Sequence, residues 1–289
     1  MRSLVRRVSS SSHRAMKRLQ PSPQWNNPQF MLSATETSGP ASNTEGKLDF
    51  HHETAEPIGS DNATLNVSFH VFQTIDAPSL AGPVLRCMAS CMCDEPASRH
   101  LAIRNGHHPK FLYPQWRSFL SPFMAQEGNY CVVAYDHGDE AVAAAFMYRD
   151  VCDELPEESK EALNHGLFRP FHDIMTNAKD KYSCLSKDTT PDNRGLCGEL
   201  WMRATQRKYR HHGLSEELIG LTLKEMKHQG YEKAVIQSTG DFTKRAAEKN
   251  GFDVVVEIGY ETFSFEGGFP FAGMEPPHTK YWVLEKDLS

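Results

Sequence analysis

The stretch Arg210-His211-His212-Gly213-Leu214-Ser215 decides the fold, because it joins a strand-like run to a helix-like one. The strand-like run is Cys197–Thr205, and the helix-like run is Ser215–Gln229. The first N–H groups of a helix lack intrahelical partners and the helix dipole is positive there, so such a turn binds anions. The stretch therefore predicts a diphosphate site, although it is neither a Walker loop nor a GxGxxG turn.

Individual residues of this turn strengthen the prediction. Gly213 permits close backbone approach or a positive φ, and Arg207, Lys208 and Arg210 add positive charge beside it. An ordinary solvated turn is the alternative, since basic turns before helices are common.

Composition and charge exclude several classes of protein. Of the 289 residues, 39% are hydrophobic and 24% are charged, which is ordinary for a soluble globular protein. No apolar run approaches the roughly 18–20 residues that span a bilayer, so we expect no membrane segment. Residues 1–20 carry six basic and no acidic side chains, which leaves an acidic remainder and argues against nucleic-acid binding.

The chain divides into an extension and a folded domain. Residues 1–60 are rich in Ser, Pro, Asn and Thr, and we expect a disordered extension there. Its first twenty residues have the composition of a mitochondrial transit peptide or of a simple basic tail. Seven cysteines without framework spacing indicate reduced thiols, so a cytoplasmic protein is expected, with a mitochondrial location as the alternative.

The globular pattern covers residues 64–289. Its predicted strands are Leu65–Ile75, Asn129–Tyr135, Ala141–Tyr148, Leu196–Thr205, Glu232–Thr239, Asp253–Tyr260 and Lys280–Glu285. Its predicted helices are Pro78 to about Cys93, parts of Arg99–Leu120, Ser215–Gln229 and Phe242–Asn250, the last with Asp241 as N-cap. A polar, partly helical insertion is predicted over 150–193. The resulting order is β-α-α-β-β-(insertion)-β-α-β-α-β-β.

The quoted turn and this order resemble the GNAT N-acetyltransferases. Their acetyl-CoA signature is Q/R-x-x-G-x-G/A, in which Arg210 takes the first position and Gly213 the fourth, while Ser215 departs from the final Gly or Ala. The resemblance implies an α/β (α+β) fold, with a mixed central sheet of about six or seven strands and helices on both faces. It also implies acetyl-CoA as co-substrate, and no metal.

Three further stretches look like those of the invertebrate arylalkylamine N-acetyltransferases. They are Asp94-Glu95-Pro96, the segment Ser238–Thr243, and Pro277-His278. By this resemblance Glu95 is the general base, and Thr239 and Thr243 bond the sulfur or the substrate amine. Some relatives place a tyrosine acid where this chain has Ala247, so that part does not transfer.

The chemistry explains the need for a base. An arylalkylamine has a pKa of about 10, so roughly one molecule in a thousand is neutral at pH 7 and able to attack a thioester. A nearby carboxylate accepts the proton, particularly where burial raises its pKa. For Glu95 the alternative is a solvated residue before a proline, and for Thr239 and Thr243 it is an ordinary strand end and helix start.

The resemblance also implies a set of cofactor contacts. Backbone N–H groups of the strand would bond the carbonyl oxygen as it gains charge, and the turn would bind the diphosphate. The residues concerned are Leu200, Trp201, Met202, Arg207, Lys208, Arg210, His211, His212, Gly213, Leu214 and Ser215. Aromatic residues that line a substrate pocket or simply fill the core are Phe168, Phe171, Phe263, Phe269 and Phe271.

We therefore expect a monomeric acetyl-CoA-dependent N-acetyltransferase for a small primary amine of the dopamine, octopamine, tyramine or serotonin type. Direct transfer in a ternary complex is expected, without nucleic-acid or membrane partners. The enzymatic alternative is a GNAT enzyme for polyamines, amino acids or protein amines. The other alternative is an acyl-CoA-binding module without turnover, which Ser215 and the missing tyrosine allow, whereas Glu95 favours catalysis.

Overall fold

The computed structural model describes residues 67–151, 153–164, 166–182 and 197–289. The predicted extension 1–60 and the starts of two predicted strands at Leu65 and Leu196 lie outside these ranges. The described part forms seven strands: β1 Val67–Gln73, β2 Tyr130–Asp136, β3 Ala141–Asp150, β4 Cys197–Thr205, β5 Lys233–Ser238, β6 Asp253–Gly259 and β7 Lys280–Asp287. It also forms seven α-helices: α1 Pro78–Cys93, α2 Pro96–Arg104, α3 Tyr113–Met124, α4 Glu157–Leu163, α5 Arg169–Lys181, α6 Leu214–His228 and α7 Asp241–Lys249.

The strands make one mixed sheet in the order β1-β2-β3-β4-β5-β7-β6. All neighbours are antiparallel except β4 and β5, which are parallel. A parallel pair needs a crossover connection, and the turn at residues 210–215 together with α6 supplies it. The prediction of a mixed sheet of six or seven strands is confirmed.

Helices cover both faces of the sheet, as predicted. The first five pack on one face through residues such as Val84, Leu120 and Ile174. On the other face α6 contributes Leu218 and Ile219, and α7 contributes Ala247. The long apolar strands β2, β3 and β4 are buried on both sides, which explains why they lack clear alternation.

Two local predictions differ from the structure. Asp241 is the first residue of α7 and not its N-cap; the cap position is Gly240, which has no side chain to offer. Instead the Asp241 N–H donates to His278 Nδ1 at 3.1 Å, so a distant residue caps this helix. The insertion, although polar in composition, contributes to the core, since α5 buries Phe171 and Ile174 there.

Among the described residues, no helix is both long and apolar enough to cross a membrane.

Trp116 connects the insertion to the rest of the core. Its side chain is 1% exposed and meets Phe119, Phe168 and Phe171 edge-on, at ring-centre distances of 5.6, 4.6 and 5.9 Å. Such edge-to-face pairs stabilise beyond the area they bury. The ring therefore holds α3 against α5.

We predict that Trp116→Ala lowers the free energy of unfolding by about 3–5 kcal/mol, because it removes a large buried side chain and leaves a cavity. Urea unfolding measures this. Phe111→Ala is the control, since Phe111 is 50% exposed, and it should change the free energy by less than about 1 kcal/mol. Equal effects of the two substitutions would contradict the packing argument.

Candidate active site

The site lies where the two parallel strands separate. Strands β4 and β5 pair from Cys197↔Lys233 to Leu200↔Ile236, and β4 then continues to Thr205 without β5. On its other side β4 contains a bulge, because Met147 opposes Met202 while Tyr148 opposes Leu200, which leaves Trp201 without a partner. Bulges bend a strand and increase its twist. We call the gap between the two strands beyond the Leu200↔Ile236 pair the β4–β5 opening.

A pocket at this opening brings together five of the predicted site residues: Glu95, Trp201, Met202, Thr239 and Thr243. Sequence reasoning missed most of its remaining lining, which has an apolar wall and a polar floor. The wall is Met92, Trp116, Phe119, Phe171 and Met175, and the floor is Glu199, Arg203, Gln237 and Tyr281. Of the five predicted aromatic candidates only Phe171 lines this pocket; Phe168, Phe263 and Phe271 are core, and Phe269 is exposed.

Glu95 is held in place by the start of α2. It is the N-cap residue, and its carboxylate accepts hydrogen bonds from the N–H groups of Ala97 (3.0 Å) and Ser98 (2.7 Å). Burial raises the pKa of Glu95 above its ordinary value. Hydrogen bonds from the Thr239 side chain and from the N–H groups of Ala97 and Ser98 oppose this rise. The Glu95 side chain is thus half-buried and held by hydrogen bonds, not freely solvated.

The two threonines belong to the other wall of the pocket. Thr239 follows β5, and its carbonyl oxygen accepts a hydrogen bond from the Tyr260 hydroxyl at 2.9 Å. Thr243 lies in the first turn of α7, whose start His278 caps. Both threonine side chains are half-buried and line the pocket.

The polar floor is part of a buried hydrogen-bond chain. The Tyr281 hydroxyl donates to Gln237 Oε1 at 2.6 Å, and Gln237 Nε2 donates to Glu199 Oε1 at 2.5 Å. Glu199 Oε2 lies 3.6 Å from Arg149 Nη2, and both side chains are at most 1% exposed. Charged residues inside the apolar runs of β3 and β4 were the sequence signal for this pair. Removing one partner of a buried ion pair leaves an uncompensated charge, which is strongly destabilising.

The predicted anion-binding turn has the expected backbone. His211 and Gly213 have φ of 69° and 78°, and α6 begins at Leu214, one residue earlier than predicted. Among the hydrogen bonds of the described residues, none uses the backbone N–H groups of residues 211–215. Five successive free donors at a helix start fit a diphosphate.

The side chains of the turn are less available than predicted. Lys208 Nζ pairs with Asp139 at 2.5 Å, and Arg210 Nη2 pairs with Asp94 at 3.4 Å. Arg207, His211 and His212 are exposed, Ser215 is half-buried and Leu214 is buried. Leu200 does not line the pocket, because its side chain is fully buried in the core on the α6 face. The sequence pattern could not show these ion pairs, since both carboxylates are distant along the chain.

We predict that Glu95→Ala is less stable than Glu95→Gln by about 1 kcal/mol, because only the amide retains an oxygen that accepts from the α2 N–H groups. Urea unfolding at pH 7 compares the two variants. Equal unfolding free energies would show that the cap contributes nothing.

No family model and no curated protein matches the chain, whereas solved structures do. Arylalkylamine N-acetyltransferase 2 from Aedes aegypti is 19% identical, with a TM-score of 0.60 over 78% of this chain and 100% of that chain. The Drosophila melanogaster polyamine N-acetyltransferase that forms N-acetylagmatine is 13% identical, with a TM-score of 0.52 over 76% and 99%. The C-terminal condensation domain of Ebony, in complex with β-alanyl-dopamine, is 13% identical, with a TM-score of 0.53 over 77% and 99%. At these identities the likeness concerns the fold, and the described part of the chain has the fold of the GNAT acetyltransferases.

Proposed function

We propose that this protein is an acetyl-CoA-dependent N-acetyltransferase for a small primary amine, most fittingly an arylalkylamine. The observation that carries the proposal is the pocket at the β4–β5 opening, which joins Glu95, Thr239 and Thr243 to the strand that leads into the anion-binding turn. The similar solved structures, which include an arylalkylamine and a polyamine N-acetyltransferase, support it.

The turn and β4 fit the two ends of CoA. The free N–H groups of residues 211–215 would bind the diphosphate, and β4 leads from this turn back to Trp201 at the pocket. Bound acetyl-CoA would supply an activated acetyl group there. The role of the chain is to fix that group at the bulge and to exclude water with the apolar wall.

Glu95 accepts the proton of the amine. The ammonium form cannot attack, so a carboxylate within reach of the nitrogen, directly or through one water, promotes the reaction. The raised pKa of Glu95 makes it a better base than an exposed glutamate. Its bonds to the α2 N–H groups and to Thr239 keep it oriented toward the acceptor.

The pocket wall favours an aromatic acceptor. Trp116, Phe119 and Phe171 present aromatic surface to the cavity, and aromatic rings pack well in edge-to-face or offset geometry. Glu199 adds a second carboxylate, which is the observation in favour of a polyamine. However, its charge is already opposed by Arg149 at 3.6 Å, so the aromatic acceptor is the better fit.

We predict that Glu95→Gln lowers kcat by about 10²–10⁴-fold with CoA affinity unchanged, because the general base is lost and the cofactor contacts are kept. Wild-type kcat/KM should fall as the pH falls through the raised pKa of Glu95, and the variant should lose this dependence. A thiol-release assay with tyramine, dopamine and agmatine measures both.

Glu285→Gln is the control for Glu95→Gln, since burial also raises the pKa of Glu285 but that residue lies on β7 away from the pocket. Wild-type turnover in Glu95→Gln would remove the proposed base.

We predict that Gly213→Val weakens CoA binding by roughly tenfold, because a β-branched residue at φ 78° costs about 1–2 kcal/mol and moves the turn's donors. Isothermal titration gives the dissociation constants. Gly106→Val is a matched control: Gly106 has φ 76°, and at both positions an added Cβ meets nothing within 4 Å. A loss of CoA affinity in both variants would indicate general strain and not a site at the turn.

A further inference from the structure

Arg203 occupies the β4–β5 opening. It follows the bulged Trp201 by two residues, and its guanidinium lies just beyond the last backbone pair, Leu200↔Ile236. Nη1 donates to the carbonyl oxygen of Leu200 at 3.2 Å, and Nη2 donates to that of Gln237 at 2.6 Å. One side chain thus bonds both strands at the point where their own ladder has ended.

This contact has a clear physical reason. Carbonyl groups that face a gap inside a sheet have no ladder partner, and a buried carbonyl without a hydrogen bond is costly. The guanidinium satisfies one carbonyl on each strand. Burial lowers the pKa of Arg203 to about 10, with Glu199 and Tyr281 opposing the change, so the group stays charged at neutral pH.

The same gap lies on the path of the CoA arm. The diphosphate would bind at residues 211–215 and the acetyl group would reach the pocket at Trp201, so the pantetheine arm has to run along the part of β4 that holds Arg203. The amide N–H groups of pantetheine suit the carbonyl groups that Arg203 occupies. Arm and guanidinium therefore compete for one space and for the same acceptors.

From this competition, and resting on the proposed function, we propose that Arg203 closes the β4–β5 opening in the free protein and that the pantetheine arm of CoA has to displace it. Arg203 thereby sets the affinity for CoA without contributing to the binding of its nucleotide end. Its Nε, which has no hydrogen-bond partner among the described residues, does not hold the side chain further in this position.

The test compares CoA with 3′-phospho-ADP, which has the nucleotide end and no arm. Isothermal titration of Arg203→Met should give about tenfold tighter binding of CoA and unchanged binding of 3′-phospho-ADP, because breaking the two hydrogen bonds is no longer part of binding. Arg203→Lys should fall between wild type and Arg203→Met. Arg104→Met is the matched control, since Arg104 also donates to a backbone carbonyl, that of Ala272, and lies outside this pocket.

Unchanged or weaker CoA binding by Arg203→Met, with 3′-phospho-ADP still bound, overturns this proposal alone. Failure of every variant to bind either compound overturns the proposed function together with it. If Arg203→Met does not fold, stopped-flow association with wild-type protein decides. CoA should then bind with a slow step that 3′-phospho-ADP lacks, and identical kinetics for the two compounds would reject the displacement.

Discussion

The short pairing of β4 with β5 is the constraint on which the rest of the molecule depends. The strands share four residue pairs and then part, while β4 stays paired with β3 on both sides of the bulge at Trp201. This geometry creates a gap inside an otherwise continuous sheet, and polar backbone inside a protein needs partners. Arg203 supplies them on the floor, and the walls come from helices on either side.

Buried charge is concentrated around that gap. Arg149, Glu199 and Arg203 lie in strands that are otherwise apolar, and each costs desolvation that only its partners offset. A fold that needed only stability would place hydrophobic residues there. Glu95 is also placed at a cost in stability. Its raised pKa means that the fold disfavours the charged form that the proposed chemistry uses.

The fold was largely predictable from the sequence, and the site only in part. The order of strands and helices followed from hydrophobic periodicity, and the Gly213 turn from its local residue types, because both depend on neighbours along the chain. The His278 cap of α7, the Arg210–Asp94 pair and the role of Arg203 depend on residues that are distant in sequence. Asp241 illustrates the limit: its residue type suited a cap, but the helix began one residue earlier than that role requires.

Part of the apolar wall comes from the insertion, apart from the proposed reacting groups. Phe171 and Met175 come from α5 in the insertion, whereas Glu95 caps α2, Thr239 follows β5 and Trp201 lies on β4. Substitutions in α5 can therefore reshape the cavity while leaving Glu95, Thr239 and Trp201 in place. If the proposed function holds, such a division is a modular route to new acceptors, in which selectivity drifts in one segment and the groups proposed for acyl transfer are inherited unchanged.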